Sequence, residues 1–490
     1  MKRRGFIQKS TTAAAGTSAL AATASAQDSK KPNLLVIHCD ELNFRTIGCF
    51  RDQLVPEQAL MWGPQAVVET PNIDGLAKEG AICTKMYAAT PVCSPSRSSF
   101  LSGQYPQNTP VVNNNVPIAD GVISFAETLG KAGWSTGYGG KWHLDGSAKP
   151  GWAPERKFGF DDNRYMFNRG HWKQFEDGPD GPRVKARNSD GKPSYSVKGA
   201  DEESFATDFL TTKAIDFIDT NSEKPWCYML SIPDPHGPDT VRAPYDSMYA
   251  ETPVEQPRTF NKDPDKAPSW AKPVKCGWQQ AGYFGMMKCI DDNVGRLVES
   301  LRESGQLDNT IFVFTADHGD MRAEHHRQNK GIPLEASAKI PFVIRYPKKV
   351  AAGAVLDQVT NTVDFLPTML GLMDVETAGK EEGRSFTHLL ANEGGGKWEN
   401  VTFIRSTGKS DSTKGWLGAV TPRHKLIVSD QDEPWLLDLE KDPDELINFI
   451  DQQPDVAKTL AQQLLAYAKK HGDSYADDPN TGPALKALAA

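Results

Sequence analysis

The sequence predicts an α/β fold, with a large mixed and mostly parallel sheet flanked by helices and a smaller C-terminal α+β part. Through most of the chain, short apolar runs alternate with helical patterns, which is typical of parallel strands joined by helices. After the glycine run at 394–396 the pattern changes to short strands separated by turn residues, which is typical of an antiparallel sheet. The chain of 490 residues, 38% of them hydrophobic, is long enough for both parts.

The N-terminus has the pattern of a twin-arginine export signal. Arg3 and Arg4 precede a mildly apolar run and an Ala-x-Ala cleavage pattern that ends at Ala26. A disordered basic tail is the alternative, and a membrane-spanning helix is disfavoured because Ser, Thr and Gly interrupt the run. We therefore expect a signal peptide at 1–26, a periplasmic or secreted bacterial protein, the twin-arginine translocase as a partner and no stable membrane insertion.

The charge balance argues against nucleic acid as a partner. The formal net charge is −8, and residues 1–26 carry four basic and no acidic side chains, so their removal makes the chain more negative. Nucleic acids bind to positive surfaces. An anionic substrate would therefore need positive charge concentrated in a pocket. The seven cysteines show no zinc-binding spacing, and their pairing cannot be read from the sequence.

Several buried strands are predicted to end in polar residues. Ligands in parallel sheets gather at the carboxyl ends of the strands, which puts Asp40, His236 and Asp317 where chemistry is expected. The predicted strands of the large sheet are 33–39, 135–140, 226–232, 309–315 and 341–346.

Helical patterns and loops separate these strands. The predicted helices are 70–78, 124–130, 204–221, 281–303 and 363–372, and the predicted long loops are 146–200 and 240–275. The C-terminal strands are predicted at 401–405, 417–420, 425–428 and 435–439, with a helix at 456–470. We therefore expect a catalytic α/β domain at 27–392 and an antiparallel-sheet subdomain with a helix at 393–490.

The segment from Val92 to Gly103 is the most informative stretch. Cys93 lies two residues before Pro95 and four before Arg97, and Gly103 ends the predicted helix. The helix N-terminus then lies beside Cys93, where its N–H groups and dipole favour an anion. Arg97 adds a fixed positive group for a tetrahedral oxyanion.

The Cys-Ser-Pro-Ser-Arg motif at 93–97, followed by Leu-Ser-Gly at 101–103, resembles the signature of type I sulfatases in the alkaline-phosphatase-like superfamily. The resemblance runs from about residue 31 to about residue 448 and includes Gly140–His143, Pro235–Pro238 and Asp317–Met321. It implies an alkaline-phosphatase-like fold and a sulfuric ester hydrolase. It also implies that a formylglycine-generating (sulfatase-maturating) enzyme converts Cys93 to 3-oxoalanine, that is formylglycine, whose hydrate is the nucleophile. The second hydroxyl of a hydrate allows sulfate to be expelled, whereas a Ser or Thr nucleophile would be trapped as a stable sulfate ester.

The same resemblance implies roles for the other catalytic residues. Lys141 and Lys330 would neutralise the sulfate oxygens, and His236 would protonate the leaving oxygen. His143 would help to expel sulfate from the covalent intermediate. Arg327 is an alternative to Lys330, but the spacing favours Lys330. The predicted catalytic set is Cys93, Arg97, Lys141, His143, His236 and Lys330.

A hard divalent cation is the natural clamp for sulfuryl oxygens. By resemblance, its ligands would be Asp40, Asp317, His318 and the modified Cys93, with Glu41 as a further ligand of uncertain role. The resemblance implies Ca²⁺. Many sulfatases have Asp-Asn where this chain has Asp317-His318, and related phosphonate monoester hydrolases also have Asp-His, so Mg²⁺ or Mn²⁺ stays open.

The segment 164–175 mixes aromatic and cationic side chains. Aromatic rings stack on sugars and cations bind sulfate, so we expect a sulfated small molecule or glycan as substrate and a part in polysaccharide degradation. The alternative is a lid that packs its own aromatic residues. The predicted substrate contacts are Arg169, His171, Trp172 and Lys173.

Two other functions remain open from the sequence. A phosphonate or phosphate diester hydrolase of the same superfamily would use the same oxyanion clamp. An inactive protein that binds sulfated glycans would keep the fold, but such a binder has no need of Cys93.

Overall fold

An eight-stranded sheet with a parallel centre organises the fold. A computed structural model describes residues 31–490 except 261, 262, 264, 275, 278, 393–395 and 408–414, so the predicted signal peptide at 1–26 lies outside the described residues. Within the described residues the strands are Asn33–Asp40 (β1), Ala81–Cys83 (β2), Met86–Tyr87 (β3), Ser135–Lys141 (β4), Asp162–Phe167 (β5), Phe175–Gly178 (β6), Gly181–Val184 (β7), Trp226–Pro235 (β8), Thr310–Ala316 (β9), Lys339–Ile340 (β10), Phe342–Arg345 (β11), Ala354–Leu356 (β12), Thr360–Asn361 (β13), Thr402–Thr407 (β14), Gly415–Val420 (β15), His424–Ser429 (β16) and Trp435–Asp438 (β17).

The α-helices of the described residues are Gly48–Arg51 (α1), Pro56–Ala59 (α2), Pro71–Glu79 (α3), Cys93–Ser102 (α4), Phe125–Lys131 (α5), Ala206–Thr220 (α6), Tyr245–Met248 (α7), Gln280–Glu303 (α8), Glu335–Ala338 (α9), Phe365–Leu372 (α10), Thr387–Leu390 (α11), Pro454–His471 (α12) and Thr481–Ala489 (α13). Those predicted from the sequence are confirmed to within a few residues. None of the helices described is long and apolar enough to cross a membrane.

The large sheet has the spatial order β12–β2–β11–β9–β1–β8–β4–β5. Strands β9, β1, β8, β4 and β5 are parallel neighbours, whereas β11 is antiparallel to both β9 and β2. The predicted mixed, mostly parallel sheet is therefore confirmed. Strand β1 is buried along its whole length, which explains its continuous apolar run, since a central parallel strand is covered on both faces.

The parallel centre brings four polar strand ends to one edge. Asp40 ends β1 and Lys141 ends β4, while His236 directly follows β8 and Asp317 directly follows β9. Parallel strands point the same way, so these four residues lie at the same edge of the sheet.

Helix α4 is fully buried despite its serine-rich sequence. The hydroxyl of Ser98 donates to the Pro95 carbonyl at 2.8 Å, and that of Ser102 donates to the Ser98 carbonyl at 2.7 Å. These bonds satisfy polar groups that would otherwise be costly to bury. Gly103 ends the helix with a left-handed φ of 67°, a conformation that glycine adopts without steric cost.

The predicted loop at 146–200 is wrong in part, because it contains β5 and the β6–β7 hairpin. Strand β5 has the sequence Asp-Asn-Arg-Tyr-Met-Phe and lies at the edge of the large sheet. An edge strand is partly exposed and is often polar, so it lacks the apolar run that identifies a central strand.

The C-terminal sheet of β14–β17 is antiparallel, as predicted. One hydrophobic cluster joins Val363, which precedes α10, to Leu417 of β15 and Leu464 of α12. Residues Pro32–Ala490 form one compact unit. The predicted domain boundary near residue 392 stays a prediction.

Candidate active site

Cys93 lies at the centre of the polar sheet edge, at the first position of α4. Its Sγ is 3.2 Å from His318 Nε2, 3.6 Å from Asp40 Oδ1 and 3.9 Å from Lys141 Nζ. The backbone N–H of the next residue, Ser94, donates to the Asn114 side chain at 3.0 Å. The fold thus surrounds the sulfur with charged groups from three strand ends.

The charges around Cys93 favour its ionised form. Burial and the Asp40 carboxylate act to raise the pKa of the thiol. The positive charges of Lys141, Lys330 and His318 outweigh them and lower the pKa of Cys93 to about 6. The site therefore stabilises negative charge at this position.

Four residues form a buried group suited to a cation. The ligand atoms of Asp40, Cys93, Asp317 and His318 all lie within 4.8 Å of one another. Burial and then the Asp40 charge raise the pKa of Asp317. Burial acts to lower the pKa of His318, but Asp317 and Cys93 raise it to about 9. This excess of negative charge, carried mainly on oxygen, fits a divalent cation.

Glu41 lies outside that group, and its part as a further metal ligand stays a prediction. Its Oε2 is 2.8 Å from His236 Nε2 and 2.8 Å from Lys330 Nζ. Its backbone has a left-handed φ of 62°, while its N–H donates to Asp317 Oδ1 at 3.1 Å. Glu41 therefore orients two predicted catalytic residues.

Hydrogen bonds from Arg97 connect α4 to the ends of the central strands. Its Nε donates to Asp317 Oδ2 at 2.9 Å, and its Nη1 donates to the Lys141 carbonyl at 2.8 Å and to Ser231 Oγ at 2.7 Å. Its Nη2 is buried without a hydrogen-bond partner among the described residues and lies 4.0 Å from Asp40 Oδ1. That free donor suits an additional anionic oxygen near Cys93.

A row of three basic side chains lies beside Asp40 and consists of Lys141, His171 and His236. Lys141 Nζ forms an ion pair with Asp40 Oδ2 and lies 2.8 Å from His171 Nε2. The His171 ring stacks on the His236 ring with a centroid separation of 3.4 Å and an interplanar angle of 9°. Both ring nitrogens of His236 face acceptors, namely Glu41 Oε2 at 2.8 Å and the Gly237 carbonyl at 3.0 Å, so the ring is held from both sides.

His143 is the second residue after the end of β4. Its φ is 64°, and its carbonyl accepts a 2.7 Å hydrogen bond from Ser94 Oγ. Burial, and then the charges of Lys141 and Arg97, hold the pKa of His143 well below its usual value. The ring is therefore neutral at pH 7 and able to accept a proton.

The structure brings Lys330 to the site rather than Arg327. Lys330 pairs with Glu41 and contributes to the low pKa of Cys93. Arg327 instead donates to the backbone carbonyl of Lys272. The roles of all these residues remain predictions.

The predicted substrate contacts separate into two pairs. Lys173 is completely buried and its Nζ is 2.6 Å from Asp234 Oδ1, while Trp172 is buried in the hydrophobic core. Burial leaves neither of these two free to bind a ligand, which corrects their assignment. His171 does reach the site, and Arg169 is half-buried and acts on His143 through its charge.

Sequence reasoning missed two residues of the site. Ser231 holds Arg97, and Asn115 Oδ1 is 3.2 Å from His143 Nε2. Two features of the sequence could have identified them. Ser231 is a polar residue inside an apolar strand, and Asn115 is the last of three consecutive asparagines. Gly140, of the predicted Gly140–His143 motif, has a packing role: a Cβ there would lie 1.8 Å from the Ser231 carbonyl, so only glycine allows β4 to approach β8 this closely.

Comparisons with known proteins agree with this geometry. The family model described as sulfatase matches residues 32–375, which is more than half of the chain. A second model, of the C-terminal part of N-sulphoglucosamine sulphohydrolase, matches residues 323–470.

Individual relatives point the same way. The chain is 29% identical over 372 residues to an ulvan-active sulfatase from Formosa agariphila, and the match covers 74% of this chain and 65% of that protein, slightly less than two thirds of its length. It is 25% identical over 538 residues to an N-acetylglucosamine-6-O-sulfatase from Bacteroides thetaiotaomicron, covering 93% of this chain and 89% of that protein.

Two solved structures share the fold. One, in complex with its substrate D-glucosamine-2-N,6-O-disulfate, has a TM-score of 0.75 at 23% identity and covers 92% of this chain and 100% of that one. The phosphonate monoester hydrolase of Agrobacterium radiobacter has a TM-score of 0.70 at 22% identity, covering 90% of this chain and 96% of that one. At these identities the likeness shows the fold alone. The match of the family model over most of the described residues shows that the chain belongs to the sulfatase family and is a sulfuric ester hydrolase.

Proposed function

We propose that this sulfatase removes sulfate from a carbohydrate, through formylglycine made from Cys93 and a divalent cation held by Asp40, Asp317 and His318. The position of Cys93 carries the proposal, because its sulfur lies at a helix N-terminus within 4 Å of an aspartate, a lysine and a histidine. A bound cation would polarise the sulfuryl oxygens and hold them in place. The modified side chain would supply a hydroxyl nucleophile at the position that Sγ marks.

The chain's own residues supply the remaining chemistry. Lys141 and Lys330 neutralise the oxygens of the transferred group as charge develops there. His236, oriented by Glu41, gives its Nε2 proton to the leaving oxygen. His143, neutral because of its low pKa, accepts a proton when sulfate leaves.

A sulfated carbohydrate is the favoured substrate. The relatives include an ulvan-active sulfatase and an N-acetylglucosamine-6-O-sulfatase, and a structural neighbour was solved with a disulfated glucosamine as its substrate. His171 adds a polar ring to the row beside Asp40, and Arg169 adds positive charge near His143. Together they suit an anionic sugar.

Calcium is the proposed cation, with Mg²⁺ or Mn²⁺ as alternatives that the imidazole of His318 allows. The twin-arginine pattern at 1–26 supports export to the periplasm or beyond. This route carries folded proteins, so the maturating enzyme would act on Cys93 in the cytoplasm before export.

The decisive experiment is mass spectrometry of the tryptic peptide that holds Cys93, from protein purified from its own host. Conversion to formylglycine lowers the mass by about 18 Da, and the aldehyde reacts with hydrazine-type probes. The Cys93→Ala variant should release sulfate at least about 10³-fold more slowly from an aryl sulfate and from sulfated glycans, because the nucleophile is lost. Active protein with a free Cys93 thiol would overturn the proposal.

A phosphonate monoester or phosphate diester hydrolase is the second candidate, and Asp317-His318 is the observation that favours it. Relative kcat/KM values on sulfate, phosphonate and phosphate esters separate the two. Faster turnover of the phosphorus esters would favour the second candidate.

A further inference from the structure

A cavity of about 620 Å³ lies beside the segment that follows His236. This volume is in the range of small-molecule sites, about 300–1,000 Å³. Its wall includes Val197, Asp239, Thr240, Tyr249, Gln279 and Gln280. None of these residues is part of the predicted catalytic set.

Two segments of the cavity wall are close in sequence to residues of the active site. Asp239 is the third residue after His236, the predicted proton donor to the leaving oxygen. Val197 is the second residue after Tyr195, whose ring centroid lies 6.2 Å from that of His171. The segments that follow His236 and Tyr195 in the chain therefore continue into the cavity wall.

Unpartnered polar groups lie in the cavity wall. Gln280 is only 4% exposed, and its Oε1 accepts a hydrogen bond from Arg322 Nε at 3.2 Å. Its Nε2 has no partner among the described residues, and the same is true of the Thr240 hydroxyl. Buried donors without a partner are costly. A ligand that carries hydroxyl groups would satisfy both.

The charges of the cavity disfavour an anionic occupant. Arg322 Nη1 is already 3.0 Å from Asp239 Oδ2, and the Gln279 N–H at the start of α8 also donates to Asp239 Oδ2 at 3.3 Å. The charged side chains of the described wall are Asp239 and Asp246, both acidic. A sulfate or carboxylate there would meet like charge without a free cation. Tyr249 adds an aromatic side chain of the kind that packs against sugar rings.

We propose that this cavity binds an uncharged sugar residue that adjoins the sulfated one in the substrate. The proposal rests on the proposed action on a sulfated carbohydrate and adds to it a requirement for a neutral neighbouring ring. The hydroxyls of that ring bond to Gln280, Thr240 and Asp239, and the sulfated ring lies at Cys93.

The test uses the formylglycine-bearing protein and four probes. These are an aryl sulfate, the sulfated monosaccharide that releases sulfate fastest in a screen, and the same sugar extended by a galactose or by a glucuronate residue. We expect kcat/KM to rise at least about tenfold on extension by galactose, since binding energy from a remote ring lowers the barrier. We expect no such gain with glucuronate.

A blocking variant locates the effect. Ala250 is exposed and lines the cavity, so Ala250→Trp places a large ring at its wall and obstructs it. Met248, 48% exposed in α7, is outside the wall, so Met248→Trp is the matched control. Ala250→Trp should remove the gain from galactose and leave the monosaccharide and aryl sulfate rates unchanged, whereas Met248→Trp should change none of them.

The outcomes separate the two proposals. Failure to release sulfate from any sugar probe would overturn the proposed substrate class. Release from the monosaccharide without a gain from galactose, an equal gain from glucuronate, or an Ala250→Trp variant that keeps the gain would overturn the cavity assignment alone.

Discussion

At the scale of single residues, the contacts of each ionisable side chain differ within the site. Glu41 holds His236 and Lys330 through one oxygen atom, each at 2.8 Å. His143 has no such carboxylate partner within the described part of the chain, and it stays neutral because burial and nearby cations lower its pKa. We therefore predict opposite tasks for the two histidines, His236 as a proton donor and His143 as a proton acceptor.

His236→Gln tests this division of labour. A proton donor matters most when the leaving oxygen is strongly basic, so we expect kcat on a sugar sulfate to fall about 10²- to 10⁴-fold. The loss on a nitrophenyl sulfate, whose leaving group needs little protonation, should be much smaller. Initial rates on both substrates measure the difference, with His388→Gln on α11 as control. An equal loss on both substrates would exclude His236 as the general acid.

At the scale of elements, a buried ion network fastens α9 to the C-terminal sheet. Lys425 on β16 lies 2.6 Å from Glu335 and 2.8 Å from Glu445. The backbone N–H of Glu335 also donates to Glu445 Oε2 at 2.7 Å. Helix α9 follows the segment that carries Lys330, so the network helps to hold that segment in place.

Glu445→Gln should change how stability depends on pH. Burial raises the pKa of Glu445 from 4.5 to about 7, although Lys425 opposes the shift. The folded chain then binds a proton more tightly than the unfolded chain between these values, so stability falls as pH rises from 4.5 to 7. The difference between pH 5 and pH 8 amounts to at most about 3 kcal/mol.

Urea unfolding at pH 5 and pH 8 measures this effect. The wild type should gain stability on acidification relative to Glu445→Gln, while the exposed Glu440→Gln control should behave like the wild type. Parallel pH profiles for wild type and Glu445→Gln would show that Glu445 does not titrate in this range.

At the scale of the whole molecule, the C-terminal sheet shares its core with the rest of the described chain. Trp416 of β15 donates from Nε1 to the Gly331 carbonyl at 3.2 Å. Its neighbours in a second hydrophobic cluster include Ile332 and Leu334. The loop after Lys330 therefore takes its shape from packing against the C-terminal sheet.

We expect residues 32–490 to unfold in one cooperative transition. The C-terminal sheet shares its hydrophobic clusters with residues before 392, so it has no complete core of its own. Urea curves followed by tryptophan fluorescence, far-ultraviolet circular dichroism and activity should coincide. Separate transitions, or a stable proteolytic fragment that ends near residue 392, would instead show that the predicted boundary divides two independent domains.

The sequence by itself determined the parallel sheet, helix α4 and the identity of most site residues. These features depend on local patterns: continuous apolar runs form buried strands, and the spacing of Cys93, Pro95 and Arg97 defines the start of a helix. Because the central strands are parallel, the motifs that follow them must lie at the same edge of the sheet.

The tertiary structure alone decided the partners of those residues. It paired Glu41 with Lys330 and His236, buried Lys173 against Asp234, and stacked His171 on His236. It also added β5 to the large sheet. Each of these contacts joins residues far apart in the chain or depends on how deeply a side chain is buried. A local pattern of side chains encodes neither the distant partner nor the burial.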